Sequence, residues 1–293
     1  MYNSDEELYP PEIPYSYPEY YYEPQPQPTL DEIVDSLIKK SDDNPESRDD
    51  MQNLINDQIF LHYNSVNLVI GKRGSGKTYT TLREILKIPV ELGDRNKFTQ
   101  IHYITDKARD DTVEKFIPAF KKCGFYFNWV STSNAEQLIR TLTALKGMIS
   151  DPEWIAENEH DNELACEALN CSPKTKGIPH TIIIFDDCIG LFSKATSLSK
   201  LLFENRQSRI TYFLILQDVQ GLSPSMKANI DSLTLFGGFP KHKFLTLFYQ
   251  LPPVDLDFDT YATLDSKDAV RIDYLESSVK FLIRNKRCQT NQK

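Results

Sequence analysis

Residues 71–78 carry the pattern of a phosphate-binding loop. They read G-K-R-G-S-G-K-T, which satisfies G-x-x-x-x-G-K-[S/T] at every fixed position, between an apolar run and a helical stretch. Glycines let the backbone curl until successive N–H groups point at phosphate oxygens, and the following helix presents its positive end to the same anion. The lysine reaches the β- and γ-phosphates, and the threonine hydroxyl binds Mg²⁺. The candidate phosphate-binding residues are Gly71, Lys72, Arg73, Gly74, Ser75, Gly76, Lys77 and Thr78.

Two adjacent carboxylates follow a second apolar run, at residues 182–185. A buried parallel strand that ends in acids delivers them to the edge where open α/β sheets bind ligands. Asp186 is the candidate partner of Mg²⁺, together with Thr78, and Asp187 is the candidate that activates an attacking water. An Asp can also simply end a buried strand, but the phosphate loop favours a nucleotide site that hydrolyses its ligand.

Polar residues also flank a third apolar run, at residues 210–216. Gln217 ends this run and could sense the γ-phosphate or hold the water, because an amide both donates and accepts hydrogen bonds. A polar strand end without such a role is the alternative. Arg206 and Arg209 precede the run, so we expect them at the opposite edge of the sheet from their own loop. They could act as arginine fingers in a neighbouring subunit, or as cations near the negative end of a helix.

Short apolar runs alternate with amphipathic stretches from residue 54 onward. This alternation predicts an α/β P-loop fold, with a mostly parallel central sheet and helices on both faces. Strand candidates lie between the loop strand and the 181–185 strand along the chain, as expected of the additional-strand ATPases. The expected strands are 66–70, 100–105, 125–130, 181–185, 210–216, 233–239 and, in a hairpin, 244–249. The expected helices are 77–87, 111–122, 134–148 and 196–207.

Acidic residues concentrate at the N-terminus. Residues 1–50 hold 14 acidic and 3 basic residues, which is a net charge of −11. Because the whole chain has a net charge of −9, the remaining residues carry a net charge of +2. Residues 1–28 contain seven Tyr, seven Pro and no Lys or Arg, which predicts a disordered N-terminal arm, followed by a short helix over 29–38. We therefore expect an arm over 1–50 and an ATPase domain over 51–293, with an acidic insertion near 151–176 and a basic C-terminal tail.

Several classes of protein do not fit the sequence. No apolar stretch approaches the roughly 18 residues of a membrane span, so no transmembrane helix is expected. The N-terminus lacks the basic and apolar regions of a secretory signal. The five cysteines are odd in number and irregularly spaced, which suits free thiols in a reducing compartment.

The order of the motifs resembles the poxvirus-type genome-packaging ATPases of the FtsK/HerA superfamily. The resemblance covers roughly residues 60–240, and the phosphate loop alone would indicate only a superfold. The segments that carry it are Gly71–Thr78, Phe185–Asp187, Asn205–Arg209, Leu216–Asp218, Leu222–Pro224 and Asn229–Asp231.

This resemblance implies an ATP-hydrolysing motor that uses ATP and Mg²⁺ to translocate double-stranded DNA into a viral capsid. It also implies a homo-oligomeric ring, a capsid or portal-vertex protein as partner, and action in the host cytoplasm or a viral factory, with association with the virion also open. Two other hypotheses remain at this point. One is a monomeric P-loop phosphotransferase, and the other is a non-catalytic interaction protein that binds nucleotide.

Overall fold

A computed structural model describes residues 64–86, 98–107, 110–174, 178–194, 198, 200–202 and 208–282. The expected arm, the helix over 29–38, Arg206 and the tail beyond residue 282 lie outside these described residues. The strands are β1 (Val66–Ile70), β2 (Phe98–Ile104), β3 (Tyr126–Val130), β4 (His180–Asp186), β5 (Ile210–Leu216), β6 (Ser232–Phe236), β7 (Ala269–Asp273) and β8 (Ser278–Leu282).

Helices connect most of these strands. In the described part of the chain they include α1 (Lys77–Leu86), α2 (Asp111–Lys122), α3 (Ala135–Met148), α4 (Pro152–Glu157), α5 (Glu159–Ala168), α6 (Ile189–Lys194), α7 (Pro224–Ala228), α8 (Lys241–Gln250) and α9 (Phe258–Ala262). Of the helix expected over 196–207, residues 198 and 200–202 are described and are helical.

The described strands form one sheet in the order β3-β2-β4-β5-β1-β6-β7-β8. The first six of these strands are parallel to one another, while β7 and β8 add antiparallel pairs at one edge. β5 lies between the phosphate-loop strand β1 and the acid-bearing strand β4. The fold is therefore of the additional-strand type, as expected. The intervening strand is β5, however, and not the candidates that precede β4 along the chain.

Hydrophobic side chains cover both faces of the sheet. Along β1, Leu68 and Ile70 join one core cluster while Val69 joins the other, because neighbouring residues of a strand point to opposite faces. The first cluster includes buried residues of α3 and α8, and the second includes residues of α1 and α2. The expected mostly parallel sheet with helices on both faces is confirmed, and it supports the site at its carboxyl edge.

One expected strand is wrong. Residues 244–249 are not a hairpin strand but part of α8, and residues 241–243 are its exposed first turn instead of a turn between strands. The aromatic and β-branched composition favours a strand. The burial pattern follows a helix instead, since Phe244 and Leu247, three residues apart, are the buried positions. The strands β7 and β8 were not expected.

The described part of the acidic segment expected over 151–176 contains the helices α4 and α5. Asp151 caps α4 by accepting hydrogen bonds from the backbone N–H groups of Glu153 and Trp154, at 3.0 and 3.3 Å. Leu169, just after α5, is fully buried in the core cluster that contains α3. In the described parts of the chain, no helix is long and apolar enough to cross a membrane.

Candidate functional site

The parallel strands bring the main predicted site residues to one edge of the sheet. β1 pairs with β5 through Ile70 and Leu216, and β5 pairs with β4 through Ile215 and Asp186. The loops that follow these three strands therefore start side by side. They carry the phosphate loop, Asp187 and Gln217.

The phosphate loop has the backbone that its glycines predict. Gly74 and Gly76 have φ angles of 76° and 95°, in the left-handed region that glycine adopts without strain. A Cβ on Gly71 would lie 2.6 Å from the hydroxyl oxygen of Ser75 and 2.8 Å from Cβ of Phe236, so no larger residue fits there. Within the described structure, the buried Ser75 hydroxyl has no hydrogen-bond partner. The curled backbone and the open hydroxyl fit a phosphate group.

Lys77 begins α1, and its side chain folds back across the loop. Its ammonium group donates to the carbonyl oxygens of Gly71 and Lys72, at 2.8 and 3.0 Å. Burial lowers the pKa of Lys77, and Lys107 adds to this, while Asp186 and Asp187 oppose it. The amine thus lies in the loop with two carboxylates nearby, where it can neutralise phosphate oxygens.

Asp186 is the buried member of the carboxylate pair. One of its oxygens accepts hydrogen bonds from Thr78, at 3.2 Å, and from the hydroxyl of Tyr103, while its backbone carbonyl accepts from Thr105 at 3.3 Å. Burial and the charge of Asp186 raise the pKa of Tyr103, so the phenol stays protonated and donates. Thr78 and Asp186 supply the hard oxygen ligands that Mg²⁺ prefers, so these two residues fit that ion.

Asp187 is more exposed and contacts the end of the next strand. Gln217 donates its side-chain amide to both carboxylate oxygens of Asp187, each at 3.2 Å. The backbone of Asp187 turns sharply at φ 60°, and its N–H donates to the carbonyl of Ile215 at 2.9 Å. This left-handed turn is one that Asp and Asn tolerate better than most residues.

Besides Tyr103, the sequence reasoning missed two lysines beside the site. Lys107, just after β2, lies 3.1 Å from an Asp187 oxygen and 3.7 Å from an Asp186 oxygen. Lys267, before β7, donates to the carbonyl oxygen of Gly74 at 2.6 Å. The position of Lys107 at the carboxyl end of a predicted strand was a usable signal. Lys267 precedes a strand that the pattern did not reveal, so the sequence offered no comparable signal.

Arg209 lies at the opposite edge of the sheet, just before β5. Its guanidinium donates to the carbonyl oxygen of Ile178 at 3.0 Å. Its own carbonyl accepts from the buried Lys146 ammonium and from the Thr181 N–H, each at 3.0 Å. Arg209 is thus built into the chain near the start of β4, and in this subunit it lies away from the phosphate loop.

Solved structures of several ATPases are similar to this chain. The DNA-packaging ATPase B204 from Sulfolobus turreted icosahedral virus is 14% identical, with a TM-score of 0.48 over 76% of this chain and 98% of that one. The B204 of Sulfolobus turreted icosahedral virus 2 in complex with ATP-gammaS is also 14% identical, with a TM-score of 0.48 over 75% and 97%. EssC (ATPases 2 and 3) from Geobacillus thermodenitrificans is 12% identical, with a TM-score of 0.49 over 75% and 39%.

B204 is a viral packaging ATPase, the class that the order of motifs in this sequence resembles. These similarities concern the path of the backbone. The functional site is assigned from its own geometry instead. No protein-family model matches the chain, and no curated protein matches it.

Proposed function

We propose that this protein is an ATP-hydrolysing motor that translocates double-stranded DNA in a homo-oligomeric ring. The observation that carries the ATPase part is the meeting of the phosphate loop, the Thr78–Asp186 pair and the Asp187–Gln217 pair at one sheet edge. The DNA substrate, the ring and delivery into a capsid rest on the resemblance of the motifs. The same resemblance supports a capsid or portal-vertex partner and action in the host cytoplasm, in a viral factory or at the virion.

The residues of the site divide the work of hydrolysis. Lys77 and the loop N–H groups bind the β- and γ-phosphates of ATP, and Thr78 and Asp186 would hold Mg²⁺. That ion, when bound, neutralises charge on the phosphate oxygens. Asp187 accepts the proton of the attacking water, and Gln217 holds the Asp187 carboxylate in place. The water oxygen bonds to the γ-phosphorus as the bond to the β–γ bridging oxygen breaks, and ADP keeps that oxygen with its electron pair.

The exposure of Asp187 favours hydrolysis over the two other hypotheses. Its side chain is 32% exposed, so water can reach the carboxylate. A phosphotransferase has to exclude water from the γ-phosphate, because water would otherwise compete with the acceptor. A non-catalytic nucleotide-binding protein has no need for an oriented base. The Asp187–Gln217 pair therefore supports a hydrolase.

The test is ATP hydrolysis by the full-length protein, with and without double-stranded DNA, with Lys77→Ala as the inactive control. We expect hydrolysis that DNA stimulates and that Lys77→Ala abolishes. The mass in solution with an ATP analogue and DNA should correspond to a closed ring. Hydrolysis that DNA leaves unchanged, by a protein that stays monomeric, would contradict the motor but keep the ATPase. Phosphate transfer to a small acceptor in place of hydrolysis would favour the phosphotransferase.

A further inference from the structure

Lys107 sits between the two carboxylates of the site. Its ammonium nitrogen lies 3.1 Å from Asp187 and 3.7 Å from Asp186. A lysine ammonium beside two carboxylates is charged at neutral pH. It is a further cation at the same sheet edge as Lys77, in the segment that follows β2 of the same chain.

The backbone that carries Lys107 is tied to the sheet on two sides. The Thr105 hydroxyl accepts from the Lys107 N–H at 3.2 Å and donates to the Asp186 carbonyl at 3.3 Å. Asp106 accepts from the N–H and hydroxyl of Thr132 and from the hydroxyl of Ser131. These contacts join the Thr105–Lys107 turn to the ends of β3 and β4. The backbone of Lys107 is thus held in place, while its side chain is half exposed and reaches both carboxylates.

The charged group nearest to the Lys107 ammonium is the carboxylate of Asp187, the proposed water-activating group. An ammonium held on Asp187 occupies a carboxylate oxygen that would otherwise be open to the attacking water. A γ-phosphate carries more negative charge than one carboxylate, and the lysine stem is long and flexible, with three donor hydrogens. A triphosphate bound in the loop can therefore compete with Asp187 for this ammonium.

We propose that Lys107 is a cation in cis that exchanges between Asp187 and the γ-phosphate of bound ATP. The inference rests on the proposed ATPase function. Contact with the γ-phosphate stabilises the triphosphate and releases Asp187 to accept the proton of the attacking water. The diphosphate has no γ-phosphate, so in the ADP complex the ammonium returns to Asp187. Lys107 thereby makes the site respond to the triphosphate and contributes to turnover.

The experiment compares Lys107→Gln and Lys107→Arg with Lys115→Gln, a matched loss of charge on the exposed side of α2. Dissociation constants for ADP and for the slowly hydrolysed analogue ATP-gammaS are measured with Mg²⁺, beside kcat and KM for ATP. Lys107→Gln should raise the dissociation constant of ATP-gammaS about tenfold, which is the scale of one charge-assisted contact. The affinity for ADP should stay within about twofold of the parent. The kcat should fall by a similar factor or more. Lys107→Arg should recover part of both losses, and Lys115→Gln should match the parent.

A double-mutant cycle with Asp187→Asn tests the exchange itself. Without the Asp187 carboxylate, the ammonium loses the nearer of its two competing partners. The loss of ATP-gammaS affinity on removing Lys107 should therefore be larger in the Asp187→Asn background than in the parent. Equal losses in both backgrounds would overturn the exchange. Equal weakening of ADP and ATP-gammaS, or an unchanged kcat in Lys107→Gln, would overturn the role of Lys107.

The outcomes separate this inference from the proposed function. A parent protein that binds ATP-gammaS but does not hydrolyse ATP would contradict the proposed function, while the binding comparison would still decide the γ-phosphate contact. An active parent with a fully active Lys107→Gln variant would contradict only the inference.

Discussion

The amide of Gln217 holds both oxygens of Asp187, at 3.2 Å each, across two neighbouring strands of the sheet. The contact exists because β5 lies beside β4 and a polar residue directly follows each strand, Asp187 after β4 and Gln217 after β5. It leaves the carboxylate oriented but open to water. Asp187 is thus placed as a base, whereas Asp186 beside it is buried and bound by Thr78 and Tyr103.

Asp187→Asn should separate binding from chemistry. Asparagine keeps the size of the side chain and tolerates the left-handed backbone, but it cannot accept the proton of the water. We expect ATP binding with Mg²⁺ to persist and kcat to fall by about 10² to 10⁴, the range for loss of a general base. Equilibrium binding and steady-state hydrolysis check this. A loss of binding with unchanged turnover per bound site would show that Asp187 has a structural role.

Tyr103→Phe should weaken the buried support of Asp186. The ring remains in its packing against Phe127 and Trp129, with centroids 6.3 and 4.9 Å away. Only the hydroxyl that donates to Asp186 is lost. A hydrogen bond to a charged group contributes about 1.5–3 kcal/mol, so the free energy of unfolding without nucleotide should fall by about that amount.

The exposed Tyr126, at the start of β3, offers a matched control for Tyr103. Its side chain is more than half exposed, so Tyr126→Phe should leave stability unchanged within about 0.5 kcal/mol. We also expect Tyr103→Phe to need more Mg²⁺ for half-maximal activity. Identical denaturant curves and Mg²⁺ dependence for Tyr103→Phe and the parent would show that Tyr103 does not support Asp186.

Arg206→Ala and Arg209→Ala should each retain ATP binding but lose most turnover, because a finger can contribute about 10³-fold or more. Mixing either variant with Lys77→Ala should restore part of the activity, since mixed rings contain some intact composite sites. ATPase assays over a series of mixing ratios check this. Mixed oligomers without any restored activity would rule out a shared site that uses these arginines.

Arg209→Ala should in addition destabilise the fold. It removes the guanidinium that donates to the Ile178 carbonyl, so we expect a loss of about 1.5–3 kcal/mol in the free energy of unfolding. Denaturant unfolding of Arg209→Ala beside the parent checks this. An unchanged midpoint would show that the contact adds no net stability.

Stability should depend on pH through His102. Burial lowers its pKa to about 4, and the charge of Lys146 adds to the shift. In the unfolded chain His102 binds a proton near pH 6.5, whereas in the folded protein it stays neutral until about pH 4. Its contribution to the free energy of unfolding is therefore complete above pH 6.5 and is lost as the pH falls toward 4. The limiting slope is about 1.4 kcal/mol per pH unit.

Denaturant unfolding between pH 7 and pH 4.5 measures the contribution of His102. His102→Gln should flatten the pH dependence relative to the parent. Parallel curves for the two proteins would show that His102 does not titrate as its burial predicts.

The sequence alone determined the local features of this protein. The pattern of loop 71–78 fixes two glycines, a lysine and a threonine at set spacing, and so specifies the turn itself. The buried strands β1, β4 and β5 are largely apolar runs, and a polar residue directly follows β4 and β5. The α8 segment shows the limit of such reading. Its aromatic and β-branched residues suit a strand, and only contact with the core decides that Phe244 and Leu247 are buried as on a helix.

The order of the strands was decided only by the tertiary structure. Nothing local states that β5 enters between β1 and β4, yet this placement brings Gln217 to Asp187. The same holds for Lys107, which is 80 residues from Asp187 in the sequence and is brought to it by the pairing of β2 with β4. The amino-acid composition and the spacing of hydrophobic residues indicate which side chains are buried. The neighbours of a strand depend on the packing of the whole sheet. Which charged side chains lie together in the site is therefore decided only when the sheet is assembled.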